Sequence, residues 1–332
     1  MRSRSKKVLV LGDVNLDITM PVEEYPVPGR DGIIQHIQIQ VGGGGLNPVI
    51  VLSKLGLKTS ISGCVGNDIW AEQVKEITRR YGIETTHLQI CEETCTGLIS
   101  IIVTPDGERT MLSYRGANAH LDINKINDDI LDNVSVLHVS GYAFMDEKQF
   151  PASMKMVDLA CNLGIPISID SGLEPVLQQP EVFKKITPIL YQYILGKQEA
   201  FKIFNTNSVE TALEEMLSSG IKRAVIKLGS GGCYLAEGKT RHYIPEFQTK
   251  VVDTTGAGDA FSAGLVFGII NNFSLLEAGI FANSLGALAT NVWGAGEHLP
   301  GINDFKIFLK NEKQVASKYL YWNELNNLNN RL

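Results

Sequence analysis

Short apolar runs alternate with amphipathic stretches along most of this chain, and that alternation leaves few folds open. Residues 7–12, 59–65, 134–140, 165–170, 189–195 and 223–228 read as strands. Between them, 47–55, 68–81, 147–162 and 209–218 carry helical periodicity. The 68–81 segment opens on Asp68, a good N-cap, and stops at Gly82, while 47–55 stops at Gly56. Strands that are apolar on both sides and separated by helices predict an α/β fold, a mostly parallel sheet covered on both faces.

Two segments break the pattern. From Gly32 to Val41 apolar residues fall at every second position, and 97–114 reads as a hairpin, with strands at 98–104 and 109–114 around a turn at Pro105-Asp106-Gly107. Together they predict a small β-appendage, about 14–41 and 96–118, inserted in the α/β body; a sheet of this kind covers a site or pairs with a partner subunit. At 332 residues the chain has room for one large domain of this kind, 1–332, with the β-sheet as its appendage.

Composition narrows the functional classes. Charged residues make up 20% and the net charge is −6, a poor match for nucleic-acid backbone or an anionic membrane. No apolar stretch approaches the ~20 residues that span a bilayer. The five cysteines (Cys64, Cys91, Cys95, Cys161, Cys233) are scattered without a Cys-x-x-Cys, which predicts reduced, mostly buried thiols in a cytoplasmic protein. Of the six histidines, His36, His87, His120, His138 and His242 lack metal spacing and read as structural.

The strongest chemical signal is Asp253-Thr254-Thr255-Gly256-Ala257-Gly258-Asp259-Ala260-Phe261. It follows a β-like stretch, 249–252, and opens an apolar helix, 260–270. Small residues let the backbone approach a ligand, and the first N–H groups of a helix make an anion site strengthened by the helix dipole. An aspartate beside bound phosphate is repelled unless it has a chemical task, such as taking a proton from a hydroxyl as a phosphoryl group arrives. The plainer alternative makes Asp259 a helix cap and the glycines a tight turn. Neither a Walker loop nor a dinucleotide fingerprint occurs.

That nine-residue string resembles the C-terminal signature of the ribokinase family of sugar and nucleoside kinases, the PfkB carbohydrate kinases. Gly12-Asp13-Val14-Asn15-Leu16-Asp17 resembles the family's first strand and substrate turn, and Gly42-Gly43-Gly44-Gly45-Leu46-Asn47 its N-terminal glycine motif. Lys227-Leu228-Gly229-Ser230-Gly231-Gly232 is similar to its nucleotide-side strand and turn. The resemblance implies a ribokinase-like three-layer sandwich with a lid, and an ATP-dependent kinase phosphorylating a hydroxyl of a small sugar. Asp259 would be the base and the amides of Gly256, Ala257 and Gly258 the anion hole. Asn15, Asp17, Gly43 and Asn47 would hold the acceptor, although Asn15 and Asp17 also read as strand-end turn residues and Asn47 as a helix cap. Lys227, Gly229, Gly232 and Asn283 would face ATP. Glu199, in Gly196-Lys197-Gln198-Glu199, would organise Mg²⁺ through water. Asp253, with the carbonyls of Thr255, Ala289, Val292 and Gly294 and a group near His298, would ring a monovalent cation, usually K⁺. His298 reads equally as an ordinary loop residue.

The chain also departs from the family pattern. Gly44 stands where ribokinases proper have lysine, no glutamate stands near Ser140-Gly141-Tyr142, and Gly196 replaces an asparagine. The acceptor therefore stays open between a ribose- or fructose-like sugar and a nucleoside such as pseudouridine or adenosine. Tyr114, Tyr142 and Phe144 either stack on a base or fill the lid hinge, and Arg109 and Arg115 leave room for a phosphate clamp. A non-catalytic sensor of the same fold is the reading from another class, opposed by the intact Asp259 loop. The lid strands are expected to pair across a homodimer through the Ile37, Ile39 and Val41 face.

Overall fold

The computed structural model describes residues 6–25, 27–105 and 109–312, with 324, 327, 328, 331 and 332. In chain order the elements are β1 (Lys7–Leu11), β2 (Asn15–Pro21), β3 (Gln38–Gly42), α1 (Leu46–Lys54), β4 (Lys58–Gly66), α2 (Ile69–Arg80), β5 (Glu84–Cys91), β6 (Gly97–Val103) and β7 (Arg109–Tyr114). There follow β8 (Val134–Ser140), α3 (Gln149–Asn162), β9 (Ile167–Asp170), α4 (Leu173–Gln178), α5 (Pro180–Ile186), β10 (Gln192–Gly196), α6 (Lys197–Phe204), α7 (Val209–Ser218) and β11 (Arg223–Lys227). The C-terminal part holds β12 (Cys233–Glu237), β13 (Thr240–Ile244), α8 (Ala257–Ile270), α9 (Leu275–Ala289) and α10 (Ile302–Glu312).

Among the described residues nine strands form one sheet in the order β13-β12-β11-β10-β9-β8-β1-β4-β5. It is parallel from β5 through β11 and ends in an antiparallel hairpin, β12–β13. Alternation along β1 divides the core. Val8 and Val10 face the side where α1, α8 and α9 pack. Leu9 and Leu11 face the opposite side, with Met156 of α3, Phe183 of α5 and Met216 of α7. The inner strands of such a sheet are covered on both faces, which is why they stand out in sequence; the edge strand β5, partly exposed, does not. Asp68 caps α2 as predicted, accepting from the amides of Trp70 and Ala71 at 3.1 and 2.9 Å.

A separate four-stranded sheet, β3-β2-β6-β7, makes the lid. Its β2 runs parallel to β6 and antiparallel to β3, with Asn15 opposite both Gly97 and Gly42. Asn15 and Asp17 are therefore strand residues of the lid and not turn residues. The strand predicted over 32–41 begins only at Gln38, because most of the residues from Asp31 to Ile37 lie exposed beyond the reach of β2. Asp106 and Gly107 of the predicted hairpin turn lie outside the described residues. The 249–252 segment forms no strand; instead the Val252 and Asp253 amides both bond to the Thr290 carbonyl, at 2.7 and 3.2 Å. Of the cysteines, Cys64, Cys91 and Cys233 are buried and Cys95 and Cys161 exposed, all as free thiols.

Candidate active site

The parallel strands end on one edge of the sheet, and their C-terminal residues supply the chemistry. Asp13 follows β1, Ser140 ends β8, Asp170 ends β9 and Lys227 ends β11. Crevices at this edge are where open α/β sheets bind ligands. The lid folds over it and encloses a cavity of about 270 Å³ lined by Asn15, Asp17, Gly43, Asn47, Lys227 and Asp259, among others. A second cavity, about 380 Å³, lies beside it and is lined by Gly229, Gly232, Phe247, Phe261 and Asn283. Lys227 and Gly258 border both.

The glycine loop forms the wall between them. Gly256 has φ +74° and precedes α8, which starts at Ala257, three residues earlier than the apolar run alone suggests. A Cβ there would stand 2.8 Å from Leu299, so only glycine makes this turn. The Ala257 amide closes the loop onto the Thr254 carbonyl at 3.3 Å. Among the described residues the amides of Gly256, Gly258 and Asp259 carry no such bond.

Asp259 is held by Asn47, whose amide nitrogen donates to Oδ2 at 2.7 Å. The Asn47 carbonyl oxygen in turn accepts the Gly296 amide at 3.0 Å. Asn47 is thus the second residue of α1, not its cap, and its side chain positions the carboxylate as well as lining the cavity. Burial pushes the Asp259 carboxyl up to about 6; the Asn47 hydrogen bond opposes the rise.

Asp17 also points into the lid cavity, and its Oδ1 is buried without a partner. Burial and the Asp259 charge push its carboxyl up to about 7. A Cβ on Gly42, diagonal to it on β3, would come within 2.3 Å of Asp17 Oδ2, so a glycine there makes room for the carboxylate. A buried acceptor with no donor is costly, and a ligand hydroxyl would relieve it. Asn15 is steadied by Asn118, whose amide donates to its Oδ1 at 2.7 Å. Gly43, at φ +104°, would place a Cβ 2.6 Å from the Asp13 carbonyl.

Two partly buried ion pairs flank the cavity, neither evident from spacing. Arg115 donates to Asp13, to Asp146 at 2.9 Å and to Gln149 Oε1 at 2.8 Å. That engagement removes Arg115 as a phosphate clamp. Lys227 holds both oxygens of Asp170 at 2.8 and 2.7 Å. Arg109 differs: its guanidinium reaches from the lid to the Thr255 hydroxyl at 3.0 Å and has no carboxylate partner among the described residues. His138 lines the cavity as well; burial pushes its imidazole down to about 4, so it is neutral. Tyr114 and Tyr142 border the cavity, whereas Phe144 is buried edge-on against Phe150 and Phe183 and stacks on no ligand.

The remaining predicted ligands lie near but outside this cavity. Glu199 is buried at the start of α6, accepting from the Ser171 hydroxyl and the Gly196 amide, each at 2.7 Å. Asp253 accepts from the Thr255 amide and hydroxyl at 2.9 and 2.7 Å and from the Gly294 amide at 2.8 Å. Ala289 is buried at the end of α9, Val292 is half-buried, and His298 is exposed in a short turn. Asn283 donates to the Pro245 carbonyl at 2.6 Å within the second cavity. Sequence reasoning missed Asp13, Asn118, His138 and Asp170 as site residues; only their place at strand ends, once the sheet is known, signals Asp13 and Asp170.

A ribokinase-like sandwich with this loop and lid defines a class, and the comparisons agree. The chain matches the pfkB family carbohydrate kinases over residues 5–301 and belongs to that family. It is therefore a phosphotransferase acting on an alcohol group of a carbohydrate. It is 26% identical over 317 residues to the ribokinase of Haemophilus influenzae, covering 92% of this chain and 99% of the other. It is 28% identical over 337 residues to "Probable fructokinase-3" of Arabidopsis thaliana, covering 95% of each. The structure of a ribokinase from Cryptococcus neoformans in complex with ADP superposes with a TM-score of 0.78 at 22% identity, covering 92% of this chain and 100% of that one. Among the described residues no helix is long and apolar enough to cross a membrane.

Proposed function

We propose that this protein transfers the γ-phosphoryl group of ATP to a hydroxyl of a free monosaccharide of the ribose or fructose kind. One observation carries the reading: Asp259 shares a cavity with Asn15 and Asp17 and sits beside Gly258, where that cavity meets the second one. The sugar lies under the lid, with a hydroxyl donating to the orphaned Asp17 oxygen. ATP lies in the second cavity, its base among Phe247 and Phe261 and its phosphates toward Gly229 and Gly232. Asp259 takes the acceptor proton as the oxygen attacks phosphorus. The amides of Gly256 and Gly258 receive the developing charge, with Ala257 completing the loop. The closed lid keeps water from competing.

Mg²⁺ fits this site. The ion usually keeps several waters and needs only one or two carboxylates besides phosphate oxygens. Glu199, raised by burial and near Asp170 and Lys227, would hold it through water, where it would neutralise phosphate charge. Asp253 would supply the counter-charge for K⁺ among the carbonyls of Thr255, Ala289, Val292 and Gly294. We place the protein in the cytoplasm.

The outer lid face supports a homodimer. Ile37 and Ile39 are about half exposed, and Leu112 of β7 is 64% exposed on the same side. Val41 lies on the same side of β3 as Ile39 but is not available to a partner; at 2% exposure it is covered by the body's core.

Coupled ADP release should be measured on ribose, fructose, related sugars, adenosine and pseudouridine. Turnover on a free sugar supports the proposal. Turnover confined to nucleosides moves the assignment to a nucleoside kinase, and ATP binding with no turnover on any acceptor makes the protein a sensor.

A further inference from the structure

We infer that Lys227 is a second catalytic group, its ammonium touching the oxygens of the phosphoryl group in flight rather than anchoring ATP in the ground state. The inference rests on the kinase reading above and deepens it.

Three observations carry it. First, Lys227 and Gly258 are the residues that border both cavities, so the lysine stands where a group passing between them must go. Its Nζ lies 3.5 Å from where a Cβ on Gly258 would be, directly against the loop whose amides face the phosphoryl. Second, the ammonium is fixed in place. Two of its three protons go to Asp170, at 2.8 and 2.7 Å. Asp170 is itself held by the Ser262 hydroxyl at 2.6 Å, one turn along the helix that carries Asp259. No third hydrogen bond to Lys227 is made among the described residues, which leaves one N–H for a ligand. Third, the charge is secure: although burial works against it, Asp170 and Glu199 hold the ammonium above its ordinary range, so it stays cationic.

A fixed cation at the crossing point favours the state in which charge is spread over the equatorial oxygens of the moving group, more than it favours bound ATP. In the step itself the acceptor oxygen forms a bond to the γ-phosphorus and its proton passes to Asp259. The bond from the γ-phosphorus to the β–γ bridging oxygen breaks, and its electron pair leaves with ADP. Lys227 remains protonated throughout, donating a hydrogen bond to a non-bridging oxygen.

The plain alternative is that Lys227 only neutralises the half-buried Asp170. Two variants separate these roles: Lys227→Met, and Lys227→Met combined with Asp170→Asn, which leaves no stranded carboxylate. Each is assayed on the wild type's best acceptor, with ATP affinity measured by calorimetry. We expect kcat to fall about 100-fold in both variants while the Kd for ATP changes less than about threefold. Recovery of wild-type kcat in the double variant would overturn the inference, and so would a weakened ATP Kd with kcat unchanged. Should Lys227→Met alone not fold, the double variant decides. If the wild type itself releases no ADP on any acceptor, the kinase reading fails as a whole; if only the lysine variants remain fully active, this inference fails alone.

Discussion

Asn47 donates to Asp259 at 2.7 Å across 212 residues of chain, tying the first helix of the domain to the helix that follows the glycine loop. The same side chain receives the Gly296 amide, so one amide group fixes the carboxylate and a C-terminal loop together. Asp259→Asn should keep the fold and ATP binding but lose about 10²–10⁴-fold in kcat, the usual worth of a positioned base. ADP release and a thermal midpoint on the same preparation check this; near wild-type turnover would remove the assigned role.

The pH profile follows from the same pair. With Asp259 raised to about 6, turnover should fall as pH drops below that value and the base becomes protonated. The Asn47 hydrogen bond favours the ionised form, so Asn47→Ala should move the acidic limb to higher pH and lower kcat about 10-fold or more. A limb that stays in place would show that Asn47 does not govern the carboxylate.

The position of Asp259 was legible in sequence because small residues, a helix start and a carboxylate fall within nine consecutive positions. Its support was not. The pairs Asp13–Arg115 and Asp170–Lys227 join residues 102 and 57 positions apart, and no periodicity links them. The inner parallel strands were readable because most of their residues are covered on both faces, whereas the edge strand β5 mixes exposed and half-buried polar residues and carries no apolar run. By contrast, β2 alternates polar and apolar residues immediately after β1 and reads as a turn until β6 is seen beside it. Helix α9 is apolar nearly all round, so it lacks the one-sided stripe that marks a surface helix.

Asp17 sets function against stability. Its carboxyl is raised from the usual carboxylate value to about 7, so the folded state holds a proton that the unfolded state releases at lower pH. Folding is therefore penalised as pH rises from about 4 to about 7, and the penalty is complete above that. Asp17→Asn should raise the thermal midpoint at pH 8, show a smaller gain at pH 5, and bind the sugar acceptor at least 10-fold more weakly. Equal gains at both pH values would contradict the titration.

Arg115→Met should destabilise the protein by about 3–5 kcal/mol, because it strands Asp13 in the interior. Adding Asp13→Asn should recover part of that loss in a urea melt. No recovery would mean that the packing of Arg115, and not its charge, matters here.

Gly43→Ala forces a side chain into left-handed backbone and against the Asp13 carbonyl. A loss of about 1–3 kcal/mol is expected, visible as a lower thermal midpoint.

Only Gly12, Asp13 and Val14 separate β1, an inner strand of the main sheet, from β2, a lid strand. The link between the two sheets therefore runs straight into the strand that presents Asn15 and Asp17. Any tilt of the cover swings those two side chains like the short arm of a lever. Acceptor seating and closure then become one mechanical event, and a designer who alters the lid to admit a new sugar will also move the groups that must grip it.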